Sequence, residues 1–208
     1  METTADDLQA QWIRRRRRGR LTLVLLILVF ALPLAIATWL YHNPQVWTPT
    51  TFTNHGELMN PPRPVEPVSL VEVSGQPFGV QQLRGYWTLL HVGNSACDPA
   101  CEEALIKTRQ LRLALGHDID RVQRVYLSTE APGFAMPAPL LDEHPGLRLV
   151  TGDGQGLAAV MEVLGEDAVG HVFLLDPLGN LVLRYGPGVA ATGMFRDVKR
   201  LLRNSRIG

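Results

Sequence analysis

The longest pattern in the hydropathy of the chain is an uncharged apolar run near its N-terminus. The run extends from Leu21 to Tyr41 and reads LTLVLLILVFALPLAIATWLY. About 20 apolar residues in a helix span the hydrocarbon core of a bilayer, and Trp39 and Tyr41 suit the membrane interface. We therefore predict one transmembrane helix over residues 21–41. A cleaved signal peptide is the alternative, because Ala35-Ile36-Ala37 resembles a cleavage site, but the apolar run continues past that point.

Beyond residue 67 the pattern changes to short apolar strands that alternate with helices. The predicted strands are Val68–Val73, Gln76–Val80, Tyr86–Val92, Arg121–Leu127, Leu147–Val150, Val172–Leu175 and Leu181–Tyr185. The predicted helices run from near Cys97 to Gly116, over Pro139–Glu143 and Gly156–Leu164, and from Thr192 onwards. Strands separated by helices, followed by a hairpin and a last helix, indicate an α/β domain over residues 68–208. Its sheet should be mixed and flanked by helices.

A proline-rich segment separates the apolar run from this domain. Residues 42–67 show no apolar periodicity and contain Pro44, Pro49, Pro61, Pro62, Pro64 and Pro67. Such a segment should be extended and semi-rigid, so we predict a tether that holds the domain off the membrane surface.

The charge distribution indicates which side of the membrane holds the domain. Residues 1–20 contain six Arg, at Arg14–Arg18 and Arg20, against three acidic residues, whereas the rest of the chain carries 14 basic and 17 acidic side chains. An excess of Lys and Arg marks the cytoplasmic flank of a membrane helix. We therefore predict a cytoplasmic tail over residues 1–20, an anchor in the inner membrane and a periplasmic domain. A nucleic-acid patch is the alternative for the Arg run, but the folded part lacks the basic excess of such proteins.

The candidate chemistry lies at Cys97 and Cys101, the only two cysteines of the chain. They follow a predicted buried strand, where the turn into a helix exposes side chains at the carboxyl edge of a sheet. A spacing of four places both sulfurs on one helix face, so the pair could form a disulfide or hold a soft metal such as Cu(I). The helix N-terminus favours the Cys97 thiolate, whereas Asp98, Glu102 and Glu103 oppose it. The alternative is an inert buried pair or a static structural disulfide.

The segment around the cysteines resembles a known family. Phe78–Leu105, which reads FGVQQLRGYWTLLHVGNSACDPACEEAL, is similar to the Sco/SenC family of cytochrome oxidase assembly proteins. In that family an L-x-G-K turn precedes the strand and T-x-C-P-x-x-C-P opens the helix. Leu83-Arg84-Gly85-Tyr86 and Ser95–Glu102 stand at those positions here, and Phe173–Gly179 resembles the late strand and turn. The resemblance implies a thioredoxin-like fold, Cu(I) binding, and an oxidase subunit or other assembly factors as partners.

Two departures from the family pattern concern the metal. Asp98 and Glu102 follow the cysteines where the family has Pro, and alignment of the late strand places the family's copper-binding His at Ala168. His171, three positions on, is the best candidate for a third ligand that would complete a Cys2His site. A satisfied core histidine is the alternative for His171. We predict that His91 is structural, and that His117 and His144, which follow helices, are solvated.

Three classes of function remain open from the sequence. The protein could be a copper chaperone that uses Cys97, Cys101 and His171, or a thiol-disulfide oxidoreductase that keeps the copper-ligand cysteines of the oxidase reduced. In the second class Cys97 attacks and Cys101 resolves. In the third class it is a non-catalytic docking factor. The chain shows no phosphate-binding loop, nucleophile elbow or HExxH pattern, which excludes the hydrolases and zinc enzymes that depend on them.

Overall fold

The computed structural model describes residues 5–43, 46, 53–65, 70–94, 97–130, 136–205 and 207, with side chains described from residue 17 onwards. The chain divides into two compact units, Met1–Phe52 and Thr53–Gly208. In the first unit, helix α1 (Ala5–His42) contains the predicted transmembrane segment and continues through the basic residues before it. Its stretch Arg17–His42 is long and apolar enough to cross a membrane, and none of it is buried against protein. It is therefore a candidate membrane span.

The second unit is built on a mixed sheet. Its described strands are β1 (Glu57–Pro64), β2 (Leu70–Glu72), β3 (Pro77–Phe78), β4 (Trp87–Gly93), β5 (Val122–Ser128), β6 (Leu147–Gly152), β7 (Val172–Leu175) and β8 (Asn180–Tyr185). Their order across the sheet is β1-β8-β7-β4-β5-β6-β2-β3. Strands β4, β5 and β6 are parallel, and the other pairs are antiparallel. The predicted mixed sheet is confirmed.

Helices cover both faces of this sheet. They are α2 (Val80–Leu83), α3 (Pro99–Ala114), α4 (Ala138–Asp142), α5 (Gly154–Leu164) and α6 (Ala191–Asn204), with a 3₁₀ turn over Gly116–Arg121. Strand β4 is buried along its whole length, so its alternate side chains contribute to two cores. Leu90 and Val92 pack with the buried residues of α5, whereas Trp87 and Leu89 pack with those of α3 and α6. The carboxyl end of β4, where the cysteines follow, is thereby held from both sides.

The predicted tether is too long at its C-terminal end, because residues 57–64 form the edge strand β1 rather than a free linker. Glu57 and Leu58 pair antiparallel with β8, and the register shifts before Arg63 and Pro64 pair with it again. Proline lacks a backbone N–H, so it is tolerated at the edge of a sheet, where one side of the strand needs no partner. The proline content that suggested a linker is equally compatible with an edge strand.

Several other boundaries differ from the predictions by one or two residues, and contacts in the structure explain two of them. The predicted strand Gln76–Val80 stops at Phe78, because Gly79 caps α2 and its N–H donates to the Gln82 side chain at 2.8 Å. Arg121 belongs to the 3₁₀ turn rather than to β5. Its guanidinium donates hydrogen bonds to the carbonyl oxygens of Leu202 and Ser205 at the C-terminal end of α6. The start of the predicted strand Val68–Val73 lies outside the described residues.

Candidate functional site

Cys97 and Cys101 are joined by a disulfide, with their Cα atoms 5.1 Å apart. Helix α3 begins between them. The Asp98 side chain caps it by accepting the Cys101 N–H at 2.9 Å, and Pro99 stands at the first helical position. A capping carboxylate and a proline that lacks its N–H both suit a helix start, since the first N–H groups have no partner within the helix. Cys101 therefore lies in the first turn, while Cys97 precedes the cap with a left-handed φ of +32°.

The disulfide is seated on a small apolar cluster at the end of the sheet. Cys97 is 5% exposed and Cys101 7%, and both pack with Leu105, Tyr126 and Met136. The Sγ atom of Cys101 lies 3.8 Å from Tyr126 Oη, and that hydroxyl donates to the carbonyl oxygen of Asn94 at 2.5 Å. Burial raises the pKa of Tyr126 above its usual range, so the hydroxyl stays protonated beside the sulfur.

A pocket of about 280 Å³ opens beside Cys97. In the described part of the chain it is lined by Cys97, Glu102, Pro137, Pro139, Leu140 and Glu143. The first turn of α3 forms one side and the start of α4 forms the other. Cys101 does not line this pocket. Cys97 is thus the residue of the pair that lines this pocket, although both cysteines are buried to a similar degree.

His91 lies under the site as a buried structural residue, in agreement with its predicted role. Its Nδ1–H donates to the carbonyl oxygen of His171 at 3.1 Å, and its ring centroid lies 5.5 Å from that of Tyr126. Burial lowers the pKa of His91 to about 4, so the ring is neutral at physiological pH. The hydrogen bond ties β4 to the loop that precedes β7.

His171, the proposed third ligand, faces a different pocket in this structure. Its Nε2 lies 3.1 Å from an Arg184 nitrogen and its Nδ1 lies 3.4 Å from the Val169 carbonyl oxygen. Arginine has no acceptor, so Nε2 must accept and Nδ1 carries the proton. The Arg184 guanidinium also pairs with Asp167 at 2.5 Å, and this hydrogen bond lowers the pKa of that carboxyl group.

The structure does not bring His171 together with the two cysteines. His171 lines a pocket with Asp167 and Arg184, whereas Cys97 lines the pocket beside α4. Among the residues whose side chains are described, no three His, Cys, Asp or Glu side chains form a group that could hold a metal ion. Ala168, which aligns with the copper-binding His of the family, is completely buried in the core.

Two other histidines have environments that the sequence did not reveal. His144, predicted to be solvated, is buried, and this burial lowers its pKa. His55, in the predicted tether, contacts α6 through Asp197, whose carboxylate accepts the N–H groups of His55 and Gly56 at 2.8 and 3.0 Å. These contacts join residues about 140 positions apart in sequence, so no local pattern indicates them.

Comparisons with known proteins identify similar sequences and similar structures. A Stutzerimonas stutzeri protein named "Putative copper-binding protein" is 26% identical over 164 residues, which cover 69% of this chain and 79% of that protein. The copper-bound structure of Arabidopsis thaliana ScoI is 24% identical with a TM-score of 0.58, and covers 67% of this chain and 98% of that one. Apo Sco1 from Thermus thermophilus is 20% identical with a TM-score of 0.60, over 74% and 99% of the two chains.

The structural likenesses show that the Thr53–Gly208 unit has the thioredoxin-like fold of Sco proteins, as the resemblance around the cysteines implied. A family model described as a transmembrane-like, N-terminal domain matches residues 14–43, which include the candidate span. The model of a transmembrane-like, thioredoxin-like, C-terminal domain matches residues 87–205, more than half of the chain. This protein therefore belongs to the transmembrane-like, thioredoxin-like family.

Proposed function

We propose that this protein is a membrane-anchored thiol-disulfide protein that assists assembly of a copper site in cytochrome c oxidase. The observation that carries the proposal is the Cys97–Cys101 disulfide at the start of α3, with Cys97 bordering a pocket. A pocket beside one cysteine of the pair gives a client sulfur a route of approach. The Sco structures share the thioredoxin-like fold in which this pair lies.

In the proposed reaction the reduced pair donates two electrons to a client disulfide. The Cys97 thiolate attacks one client sulfur, a Cys97–client bond forms, and the other client sulfur leaves as a thiolate that takes a proton from water. Cys101 then attacks Sγ of Cys97, which closes the Cys97–Cys101 disulfide and releases the second client thiol. Cys97 is assigned as the attacking residue because it lines the pocket, whereas Cys101 does not line it and its Sγ atom contacts the Tyr126 hydroxyl. The natural clients are the copper-ligand cysteines of an oxidase subunit.

Copper enters the proposal as cargo of the reduced pair. Two thiolates that are close enough to form a disulfide are soft ligands suited to Cu(I). The copper-bound ScoI structure and the name of the S. stutzeri relative support this part of the proposal. His171 is the proposed third ligand, and it must leave its contact with Arg184 before its Nε2 can bind a metal.

The proposed location is the inner membrane, with the folded unit in the periplasm. The Arg-rich flank of the apolar helix supports this orientation, because basic residues remain on the cytoplasmic side. Because the periplasm maintains disulfides, a thiol reductant must convert the Cys97–Cys101 disulfide back to two thiols before each round, with two electrons and two protons.

Activity in cells distinguishes this proposal from the docking alternative. Cys97→Ser, Cys101→Ser and the double variant should each lower the level of copper-loaded oxidase to a similar extent, because neither sulfur works alone. Oxidase activity and protein abundance are measured in cells that express each variant in place of the parent. Ser95, two positions before Cys97 in sequence, supplies Ser95→Ala as a control. Full oxidase activity in the double variant would leave only a non-catalytic docking role.

A further inference from the structure

We propose that the pocket beside Cys97 selects clients that carry a positive charge next to their reactive sulfur. The inference rests on the proposed thiol-disulfide exchange at Cys97 and adds the class of substrate. It concerns the pocket lined by Cys97, Glu102, Pro137, Pro139, Leu140 and Glu143, called here the Cys97 pocket.

The walls of the Cys97 pocket suit a short apolar segment that flanks a sulfur. Pro137, Pro139 and Leu140 provide rigid apolar surface on the side of α4. Leu140 also packs against the apolar cluster that contains the disulfide, so this wall of the pocket is fixed in position next to Cys97. A volume of about 280 Å³ admits a few side-chain or backbone groups rather than a folded element.

Among the described residues that line the Cys97 pocket, the two charged groups are both acidic. Glu102 and Glu143 are exposed, and they approach the pocket from α3 and from the end of α4. The neighbouring acid Glu103 is paired with Lys107 at 2.8 Å and does not line the pocket. Asp98, which caps α3, adds a third carboxylate next to Cys97 in sequence.

Two basic residues lie near this end of the pocket. The Arg109 guanidinium donates to the backbone carbonyl of Glu143 and the Arg124 guanidinium to that of Pro145, and neither residue lines the pocket. An approaching client therefore meets Glu102 and Glu143 without an intervening cation among the described lining residues. Carboxylates at such positions raise the local concentration of cations and lower that of anions, and salt screens the effect. Charge complementarity of this kind acts mainly on the rate of encounter.

The test compares two small disulfides of opposite charge. Cystamine carries two ammonium groups and dithiodipropionate carries two carboxylates, and each oxidises the reduced pair by the two steps given above. The full-length reduced protein in nonionic detergent is mixed with each probe, and formation of the Cys97–Cys101 disulfide is followed in time. Because the two probes differ in intrinsic reactivity, the measured quantity is the ratio of their rate constants, compared between variants.

We expect the Glu102→Gln, Glu143→Gln double variant to lower the cystamine-to-dithiodipropionate ratio about fivefold at low salt, with most of the difference lost at high salt. Any change in thiolate fraction acts on both probes and cancels in the ratio. Glu103→Gln removes one charge from the same helix turn outside the pocket, and it should leave the ratio within about twofold.

The outcomes separate this inference from the function on which it rests. An unchanged ratio in the double variant, with rapid exchange retained, would overturn the charge selection and leave thiol-disulfide exchange intact. An equal drop in Glu103→Gln would also overturn it, because the effect would then reflect overall charge rather than the pocket. Failure of both probes to oxidise the parent protein would overturn the exchange function and the inference together.

Discussion

At the scale of single residues, the histidines differ in what surrounds their rings. His91 is a buried residue of β4 that contacts the loop before β7. His171 is half-buried beside Arg184, and His117 is exposed. A neutral buried ring with one hydrogen bond supports the fold. The His171 ring is partly exposed, and its Nε2 accepts from Arg184. This nitrogen becomes available to a ligand if the Arg184 side chain moves away. Burial and partners therefore separate the three histidines, with His91 buried and His117 exposed as the sequence predicted.

The buried His91 ring should make the folded domain sensitive to acid. Its pKa is lowered to about 4, so between the ordinary value of 6.5 and about 4 the unfolded chain takes up a proton that the folded chain does not. Stability is therefore lost as pH falls through this window, by on the order of 3 kcal/mol in total. His91→Gln should flatten the dependence of the unfolding free energy on pH, measured by urea titration of the full-length protein in detergent.

His117→Gln is the matched control for this experiment, because His117 is almost fully exposed. Its pH dependence should match that of the parent protein. Burial also lowers the pKa of His144, so His91→Gln should retain a smaller acid sensitivity. A parent-like slope in His91→Gln would contradict the assignment of the main acid-sensitive group to His91.

His171 provides a second test at this scale. If it is the third copper ligand, His171→Ala should weaken Cu(I) binding by the reduced protein about tenfold or more, since a soft two-thiolate site loses its nitrogen donor. The potential of the Cys97–Cys101 couple should stay nearly unchanged. Cu(I) affinity is measured by competition with a coloured chelator, and the potential by equilibration with dithiothreitol, on the same preparations.

The matched variant for this test is His117→Ala, which removes an exposed imidazole. Equal Cu(I) affinities of parent protein and His171→Ala would remove His171 from the ligand set and leave the two-cysteine site. Equally weakened binding in His117→Ala would indicate nonspecific capture of copper by surface histidines.

At the scale of elements, the edge strand β1 depends on the C-terminal helix α6. The buried Asp197 carboxylate on α6 accepts the N–H groups of His55 and Gly56 just before β1. Close approach is possible because residue 193 is glycine, where a Cβ atom would lie 2.9 Å from the side chain of His55. The hydrogen bonds to Asp197 thus hold the start of β1 against α6, and Gly193 leaves the space that this close approach requires.

Asp197→Ala should loosen β1 before the rest of the sheet. The variant leaves the buried N–H group of Gly56 and the partly buried N–H group of His55 without an acceptor, at a cost of about 2 kcal/mol in the free energy of unfolding. Amide hydrogens of Glu57 and Leu58 should exchange faster, while those of β4 and β5 keep their relative protection. Urea unfolding and hydrogen exchange with mass spectrometry measure the two effects.

Asp120→Ala, at an exposed position in the 3₁₀ turn, is the control and should change neither quantity measurably. Uniformly faster exchange across all strands in Asp197→Ala would show that the contact stabilises the whole domain rather than β1. Unchanged exchange at β1 would contradict its anchoring by Asp197.

At the scale of the whole molecule, the chain combines an apolar helix, which carries a basic flank, with a thioredoxin-like unit that contains the Cys97–Cys101 disulfide. The proposed orientation predicts that alkaline phosphatase fused after Gly208 is active and that green fluorescent protein at the same position is not fluorescent. Replacing Arg14–Arg18 by Gln and placing Lys residues after Tyr41 should reduce the phosphatase activity. A fluorescent fusion of the unaltered chain would overturn the periplasmic location and the oxidising environment proposed for the cysteines.

The sequence alone was sufficient for features that depend on near neighbours in the chain. The apolar run, the order of strands and helices, and the cysteine pair beside a helix start arise from periodicity, capping and covalent spacing, which short segments carry by themselves. Proline content was ambiguous, because the same residues suit a linker and an edge strand, and pairing with β8 decided in favour of β1. The burial of His144, the contact of His171 with Arg184 and the acidic walls of the Cys97 pocket depended on tertiary structure. The His171 contact crosses the β7–β8 hairpin, and the Cys97 pocket joins α3 to the end of α4, so only the packing of the sheet and its helices brings these side chains together.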